Sequence, residues 1–415
     1  MRTFDVVIFG ASGYTGEHIA VEWARVYGST TRWALAGRSK KKLEATRAMI
    51  LDKVRGVHDV PIVLADALDE LALTAMCQST TLVINCTGPF RLFGEPVVRC
   101  CVAAGTHYVD ISGEPQFIET MMLRYNEDAR KNACVVVSAC GFDSVPSDLG
   151  TVFTAQQFPK GGACSSIEAF ISTDGKRAHA TTYECIVLGL AAADELKTLR
   201  GNVAPIPYVG PKLTLRNVGY DRRVQKYVVK FPGADASIVR NSQRYLVSTK
   251  DGAIPSRFAI YATFESVWTL VYLVVGGLFL ISLGSFKAGR ALLIQYPQVF
   301  TFGFFNHAGP TEEELATTSF TFQFYAKGYT NIQSAGTASP DWQVVTTVHG
   351  PEPGYIATSR MVTRCAKVLL DGHVVPRGVL TTASAFGDTP LISELQQAGI
   401  TFTVDSCGPV QPESF

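Results

Sequence analysis

The thirteen residues Phe4-Asp-Val-Val-Ile-Phe-Gly10-Ala-Ser-Gly13-Tyr-Thr-Gly16 constrain this chain more than any other stretch. An apolar run of strand length passes directly into glycines spaced G-x-x-G-x-x-G and then into a helical pattern, as in the first turn of a dinucleotide-binding βαβ unit. Gly10 suits the tight turn, Gly13 lets backbone approach a pyrophosphate, and Gly16 allows close helix-to-strand packing. Ser12, Tyr14 and Thr15 complete the loop, and the amides at the helix N-terminus face phosphate charge.

The same rhythm continues to about residue 150. Strands are expected at Phe4 to Phe9, Trp33 to Ala36, Ile62 to Leu64, Leu82 to Asn85, Tyr108 to Ile111 and Val135 to Ser138. Helices are expected at Gly13 to Val26, Lys40 to Leu51, Leu68 to Gln78, Pro96 to Ala104 and Pro115 to Ala129. This alternation predicts an α/β fold, with an N-terminal Rossmann domain over residues 1–150 built on a parallel sheet.

Cofactor choice is read at the end of the second strand, where NAD-specific sites carry Asp or Glu. Here the residues are Gly37-Arg38-Ser39-Lys40, without a carboxylate. The guanidinium of Arg38, helped by the Ser39 hydroxyl, suits a 2′-phosphate, so NADP (NADPH) is the expected cofactor. Asp66 and Ala67, after the third strand, are candidates for the adenine wall. The turn Cys86-Thr87-Gly88-Pro89-Phe90 should lie along the nicotinamide ribose, with Phe90 as an apolar wall and Cys86 as a packing residue. Asp110, Glu114, Asp143 and Asp148 fall at or just beyond later strand ends. Asp148 reads as a helix cap, whereas Asp143 and Glu114 stay open between capping and proton relay. No Tyr-x-x-x-Lys pair follows these strands.

From about Thr151 the pattern becomes β-rich and interrupted by Gly and Pro, predicting a mixed α+β second domain over 151–375. Late strands are expected at Ser319 to Ala326 and Gln343 to His349, with helices at Glu352 to Asp371 and Pro390 to Gly399. Within this domain, 266–305 stands apart: no charged residue lies between Glu265 and Lys287, and the run is long enough to span a bilayer. It reads either as a membrane-facing helix or hairpin bent at Gly276-Gly277, or as an interface segment buried in the domain or a dimer. Residues 376–415 are expected to return to the first domain.

Composition removes other classes. Lys plus Arg total 37 against 36 for Asp plus Glu, a net charge of +1, so no global field attracts nucleic acid. The ten cysteines show neither metal-ligand nor disulfide spacing, and no metal site is expected. The short apolar start leads into the glycine motif instead of a cleavage site, pointing to a cytosol-facing chain in a reducing compartment.

With Val7-Ile-Phe-Gly-Ala-Ser-Gly-Tyr-Thr-Gly16, Leu35-Ala-Gly-Arg-Ser39, Asn85-Cys-Thr-Gly-Pro-Phe90, Gly94-Glu-Pro-Val97, Asp110-Ile-Ser-Gly-Glu-Pro-Gln-Phe117 and Gly141-Phe-Asp-Ser-Val-Pro-Ser-Asp-Leu-Gly150 in order, the chain resembles the saccharopine dehydrogenase-like oxidoreductase family. The resemblance continues through Gly210-Pro-Lys212, Gln243-Arg-Tyr245, Gly309-Pro-Thr311 and Gly350-Pro-Glu352. It implies a Rossmann domain followed by a substrate and dimerisation domain, hence a homodimer. It also implies association with lipid droplets or other membranes, and kinship with bacterial trans-acting enoyl reductases. Three readings follow: an NADP-dependent reductase of a lipid-like substrate, a non-catalytic NADP-binding scaffold at a lipid surface, and saccharopine-type amino-acid chemistry. The last needs clustered basic residues in the second domain, where Lys176, Arg177, Arg222, Arg223 and Arg244 are scattered in sequence.

Overall fold

In a computed structural model the chain divides into two units, and residues 2–57, 59–191, 193–201 and 203–411 are described. The first unit comprises Met1–Asp143, Ala192–Leu199 and Pro353–Ala398. Its sheet contains β1 (Phe4–Phe9), β2 (Trp33–Gly37), β3 (Ile62–Leu64), β4 (Thr80–Asn85), β5 (His107–Asp110), β6 (Val135–Val137) and a last strand, Gly378–Leu380. All pairs are parallel, and from that last strand the order runs β6-β5-β4-β1-β2-β3. The chain builds outward from β1 through β2 to β3, then crosses to β4 on the other side of β1. The carboxyl ends of β1 and β4 therefore flank the switch point at which such sheets bind ligands.

The crossovers are α1 (Tyr14–Tyr27), α2 (Lys40–Lys53), α3 (Glu70–Ser79), α4 (Phe90–Ala104) and α5 (Pro115–Lys131). Helix α4 starts six residues before the expected Pro96, which lies inside it. The Glu114 carboxylate explains the early start, because it accepts from the first two amides, Phe90 N at 2.7 Å and Arg91 N at 3.3 Å.

Two expected boundaries differ. Residue 150 falls within α6 (Val145–Ala155), which packs on the second sheet. Helix Thr358–Leu370, expected in the second domain, belongs to the first: it packs on α1, Arg364 pairs with the buried Glu22, and Thr358 Oγ1 accepts from Phe142 N at 3.1 Å. The 376–415 segment splits, since Gly378–Leu380 joins the first sheet while Thr401–Pro409 joins the second.

The second sheet runs Thr401–Pro409, Trp342–Pro351, Ser319–Tyr329, Ala163–Thr173, Arg257–Phe264, Lys226–Lys230, Val218–Asp221. Its pairs are antiparallel except Ala163–Thr173 with Arg257–Phe264, so it is mixed. Every second residue of Ser319–Tyr329 faces α6, burying Phe320, Phe322 and Phe324 completely. The apolar segment forms helix Val267–Gly284, unbroken through Gly276-Gly277, and turns only at Ser285-Phe286 into Lys287–Gln295. Leu280 and Leu283 pack with Tyr183, Val187 and Leu293, which holds this hairpin on the second unit.

Candidate functional site

The glycine turn lies at the switch point. Gly10 has φ +82°, and a side chain there would meet Thr87 Oγ1 at 2.6 Å and the Cys86 backbone at 3.0 Å. At Gly16 an added Cβ would stand 2.2 Å from the Gly10 carbonyl oxygen, so only glycine lets α1 start this close to β1. Gly13 N donates to Gly10 O at 3.0 Å, and Gly13 precedes α1 without a side-chain cap. Ser12, Tyr14 and Thr15 are half-buried around this helix end, with Tyr14 edge-on to Tyr355 at 4.7 Å.

On one side of β1, Arg38 is exposed at the end of β2. Ser39 caps α2, its Oγ accepting from Lys42 N at 3.4 Å, which leaves its hydroxyl proton to donate. Asp66 is half-buried and its Oδ1 accepts from Leu68 N at 3.0 Å, while Ala67 is buried. On the other side of β1 the chain leaves β4 through Cys86, Thr87, Gly88 and Pro89, with a cis peptide between Gly88 and Pro89. Thr87 Oγ1 is buried and has no hydrogen-bond partner among the described residues. Phe90, expected as an apolar wall, is 5% exposed and packs on Phe117 with ring centroids 5.8 Å apart. As the first residue of α4, it is turned inward by that helix. Burial and the nearby Asp110 charge push the Cys86 thiol well up, so it stays protonated and packs instead of attacking.

The carboxylates differ in what already holds them. Glu114 is buried, caps α4 and pairs with Arg91, Nε to Oε2 3.1 Å. Asp110 is the centre of a buried network that the spacing of residues did not disclose. Its Oδ2 accepts from Tyr108 OH at 2.8 Å and Ser138 Oγ at 2.9 Å, and its Oδ1 from Ser112 N and Ala139 N, both at 2.9 Å. Tyr108 OH in turn accepts from Asn85 Nδ2 at 3.1 Å, and Asn85 Oδ1 accepts from Thr87 N at 2.9 Å. The network fixes the ends of β4, β5 and β6 beneath the Cys86–Pro89 turn. Asp143 reaches solvent, yet the dense protein around it and the neighbouring Glu114 charge push its carboxyl up to about 6. Its side chain lies against Gly113, where a Cβ would meet it at 2.9 Å.

These residues fit a dinucleotide. The glycine cradle and uncapped α1 suit a pyrophosphate, the exposed Arg38 guanidinium at the end of β2 suits a phosphate, and the orphaned Thr87 hydroxyl lacks a partner among the described residues. Fold and site together define an NADP-binding Rossmann unit joined to a mixed-sheet unit. Residues 6–137 match the family described as "Saccharopine dehydrogenase NADP binding domain". A rat saccharopine dehydrogenase-like oxidoreductase is 37% identical over 99% of both chains. The chain belongs to the saccharopine dehydrogenase-like oxidoreductase family, and its cofactor is NADP(H). It is also similar to the "Lipid droplet localized protein" of Caenorhabditis elegans, 34% identical over 98% of this chain and 99% of that one. A "Putative trans-acting enoyl reductase" of Mycobacterium tuberculosis is 29% identical over 96% and 97%. Among solved structures, apo saccharopine dehydrogenase (L-Glu forming) from Saccharomyces cerevisiae shares the fold, with a TM-score of 0.56 at 13% identity over 97% of this chain and 99% of that one.

Proposed function

We propose that this chain is an NADPH-dependent reductase of a lipid-like C=C or C=O group, working at a membrane or lipid-droplet surface. The observation that carries the reading is helix Val267–Gly284: mean hydropathy 2.1, with only Leu270 and Gly284 buried. Trp268 is 69% and Phe279 58% exposed, a wide apolar face that water does not tolerate without a cover of lipid or of a second copy in a homodimer. The names of the worm and mycobacterial relatives point the same way.

When bound, NADPH supplies the hydride. The chain's own part is to hold the cofactor on the glycine turn, Arg38, Ser39, Asp66, Ala67 and the Cys86–Phe90 turn, and to hold one proton at Asp143. Glu114 is engaged in capping and in the Arg91 pair, so its role is positioning. Two of the five basic residues named for amino-acid chemistry are matched already, Arg223 by Glu168 and Asp221 and Arg177 by Glu314, which counts against their binding a polycarboxylate substrate. NADPH oxidation against panels of enoyl lipids, ketones and imino acids tests the reading. Turnover of the first two supports it; silence of every panel with NADPH still bound favours the scaffold.

A further inference from the structure

The only charged residues over 266–305 are Lys287 and Arg290, in a chain whose net charge is no more than +1. Two further cations, Lys176 and Arg177, are brought beside this segment by a short parallel pairing of Ala178–His179 with Phe305–Asn306, in which Ala178 N donates to Phe304 O at 2.8 Å. Together with Phe302, Gly303, Phe304 and Asn306 they line an open cleft of about 530 Å³. Lys176 is exposed at its edge. Acids beside these elements are engaged within the second unit: Glu314 Oε1 holds Arg177 Nε at 3.4 Å, Asp174 accepts from Ser319 N at 2.6 Å, and Glu265 pairs with Lys226 at 2.9 Å.

The other wall of the cleft is a turn that presents its aromatic residue to the outside. Phe304 N donates to Thr301 O at 3.0 Å, and the two residues between, Phe302 and Gly303, have φ of +52° and +85°. Glycine takes that left-handed conformation freely, whereas phenylalanine takes it against the clash of its Cβ. Burial does not offset that cost, because Phe302 is 80% exposed. Its ring meets Tyr272 edge to face with centroids 5.9 Å apart, which makes the turn continuous with the exposed face of helix Val267–Gly284. One apolar surface thus runs from that helix to a basic rim.

We propose that the cleft takes the head group of an anionic phospholipid, so that the hairpin docks on negatively charged lipid surfaces in preference to neutral ones. The inference rests on the reading that the apolar face meets lipid. That face alone would accept any lipid, whereas a cation near an anionic surface adds attraction that salt screens. Lys176 meets the negative charge of the head group, Arg177 is held at the same rim by Glu314, and Phe302 enters the boundary between head groups and acyl chains, where an aromatic ring is favoured. Lys287 and Arg290, at the turn of the hairpin, carry the same sign.

Flotation of the full chain with vesicles of phosphatidylcholine alone, or of phosphatidylcholine mixed with phosphatidylserine, tests this. The wild type is expected to bind the mixed vesicles roughly tenfold more tightly, and added salt should erode that preference while sparing binding to phosphatidylcholine. Lys176→Gln should cost roughly fivefold on mixed vesicles and leave phosphatidylcholine binding unchanged. Lys160→Gln removes the same charge from an exposed position before the far end of strand Ala163–Thr173, and should change neither. Phe302→Ser should weaken binding to both. Unfolding midpoints equal to the wild type check that the variants are folded. Equal binding to the two vesicle types, unchanged binding in Lys176→Gln, or an equal loss in Lys160→Gln each overturns the proposal and leaves lipid docking by the apolar face standing. Binding to neither vesicle type overturns both together, and a dimer under light scattering would then give the face to a second copy.

Discussion

Asp110 Oδ1 accepts a 2.9 Å hydrogen bond from the amide of Ala139, whose φ of 59° lies in the left-handed region. An alanine there costs about 1 to 2 kcal/mol, and the buried carboxylate offsets part of it by gripping the amide that the turn exposes. The end of β6 is thus held to the end of β5 by a side chain as well as by the strand ladder.

The acid at the centre of that network should shape stability against pH. Burial raises the Asp110 carboxyl from 3.8 to about 6, against the lowering effect of its hydrogen bonds. With the folded pKa above the unfolded one, the stabilisation is fully present below about pH 3.8 and lost as pH rises through 6. Two units correspond to roughly 3 kcal/mol. Urea unfolding between pH 4 and 7 should show a steeper loss in the wild type than in Asp110→Asn; equal slopes would remove Asp110 as the group responsible.

Gly16→Ala tests the close start of α1. The added methyl would meet Gly10 O at 2.2 Å, a backbone atom that cannot swing away. A loss of about 1 to 3 kcal/mol is expected, with weaker NADP⁺ binding as the cradle opens. Unchanged calorimetric affinity would mean that the turn relaxes without cost.

Arg38→Asp is expected to weaken NADP(H) roughly tenfold or more and to favour NAD(H) relatively, because a carboxylate repels a 2′-phosphate yet accepts from a free hydroxyl. Titration of both cofactors decides it. The exposed position of Arg38 makes a folding defect a poor explanation of any loss.

For the apolar face, Leu273 and Leu278 are 46% and 61% exposed, whereas Leu280 packs on the Tyr183 cluster. Leu273→Lys with Leu278→Lys should therefore release the protein from lipid in flotation gradients while NADP⁺ binding and folding persist. A double variant that still floats rules out lipid insertion by this helix. A shift from dimer to monomer by light scattering would assign the face to a second copy.

What the sequence disclosed was local: apolar runs ending in glycine marked β1 and β2, and the uncharged run marked the helix at Val267. What it hid depends on partners distant in the chain. Strand Ala163–Thr173, central to the second sheet, does not stand out within the β-rich region, because its Ser165, Ser166, Glu168 and Ser172 interrupt the apolar run and Glu168 finds its arginines far along the chain. The Glu114 cap joins residues 23 and 24 positions apart. Helix Thr358–Leu370 was legible as a helix, but its place against α1 was not, because adjacency in sequence says nothing of a return from the far end.

That return has a consequence for synthesis. When residues 1–150 have left the ribosome, the sheet still lacks the strand beside β6, and α1 lacks the helix that covers it. The cofactor unit is completed only when residues up to 398 have emerged, after almost the whole second unit. A stalled or nonsense-terminated chain ending before Gly378 should consequently fail to retain NADP⁺ although every residue proposed to touch the cofactor is present. Pull-down of ribosome-bound chains of increasing length on immobilised NADP⁺ should show capture beginning late, so that the carboxyl end acts as a checkpoint on whether the whole polypeptide was made.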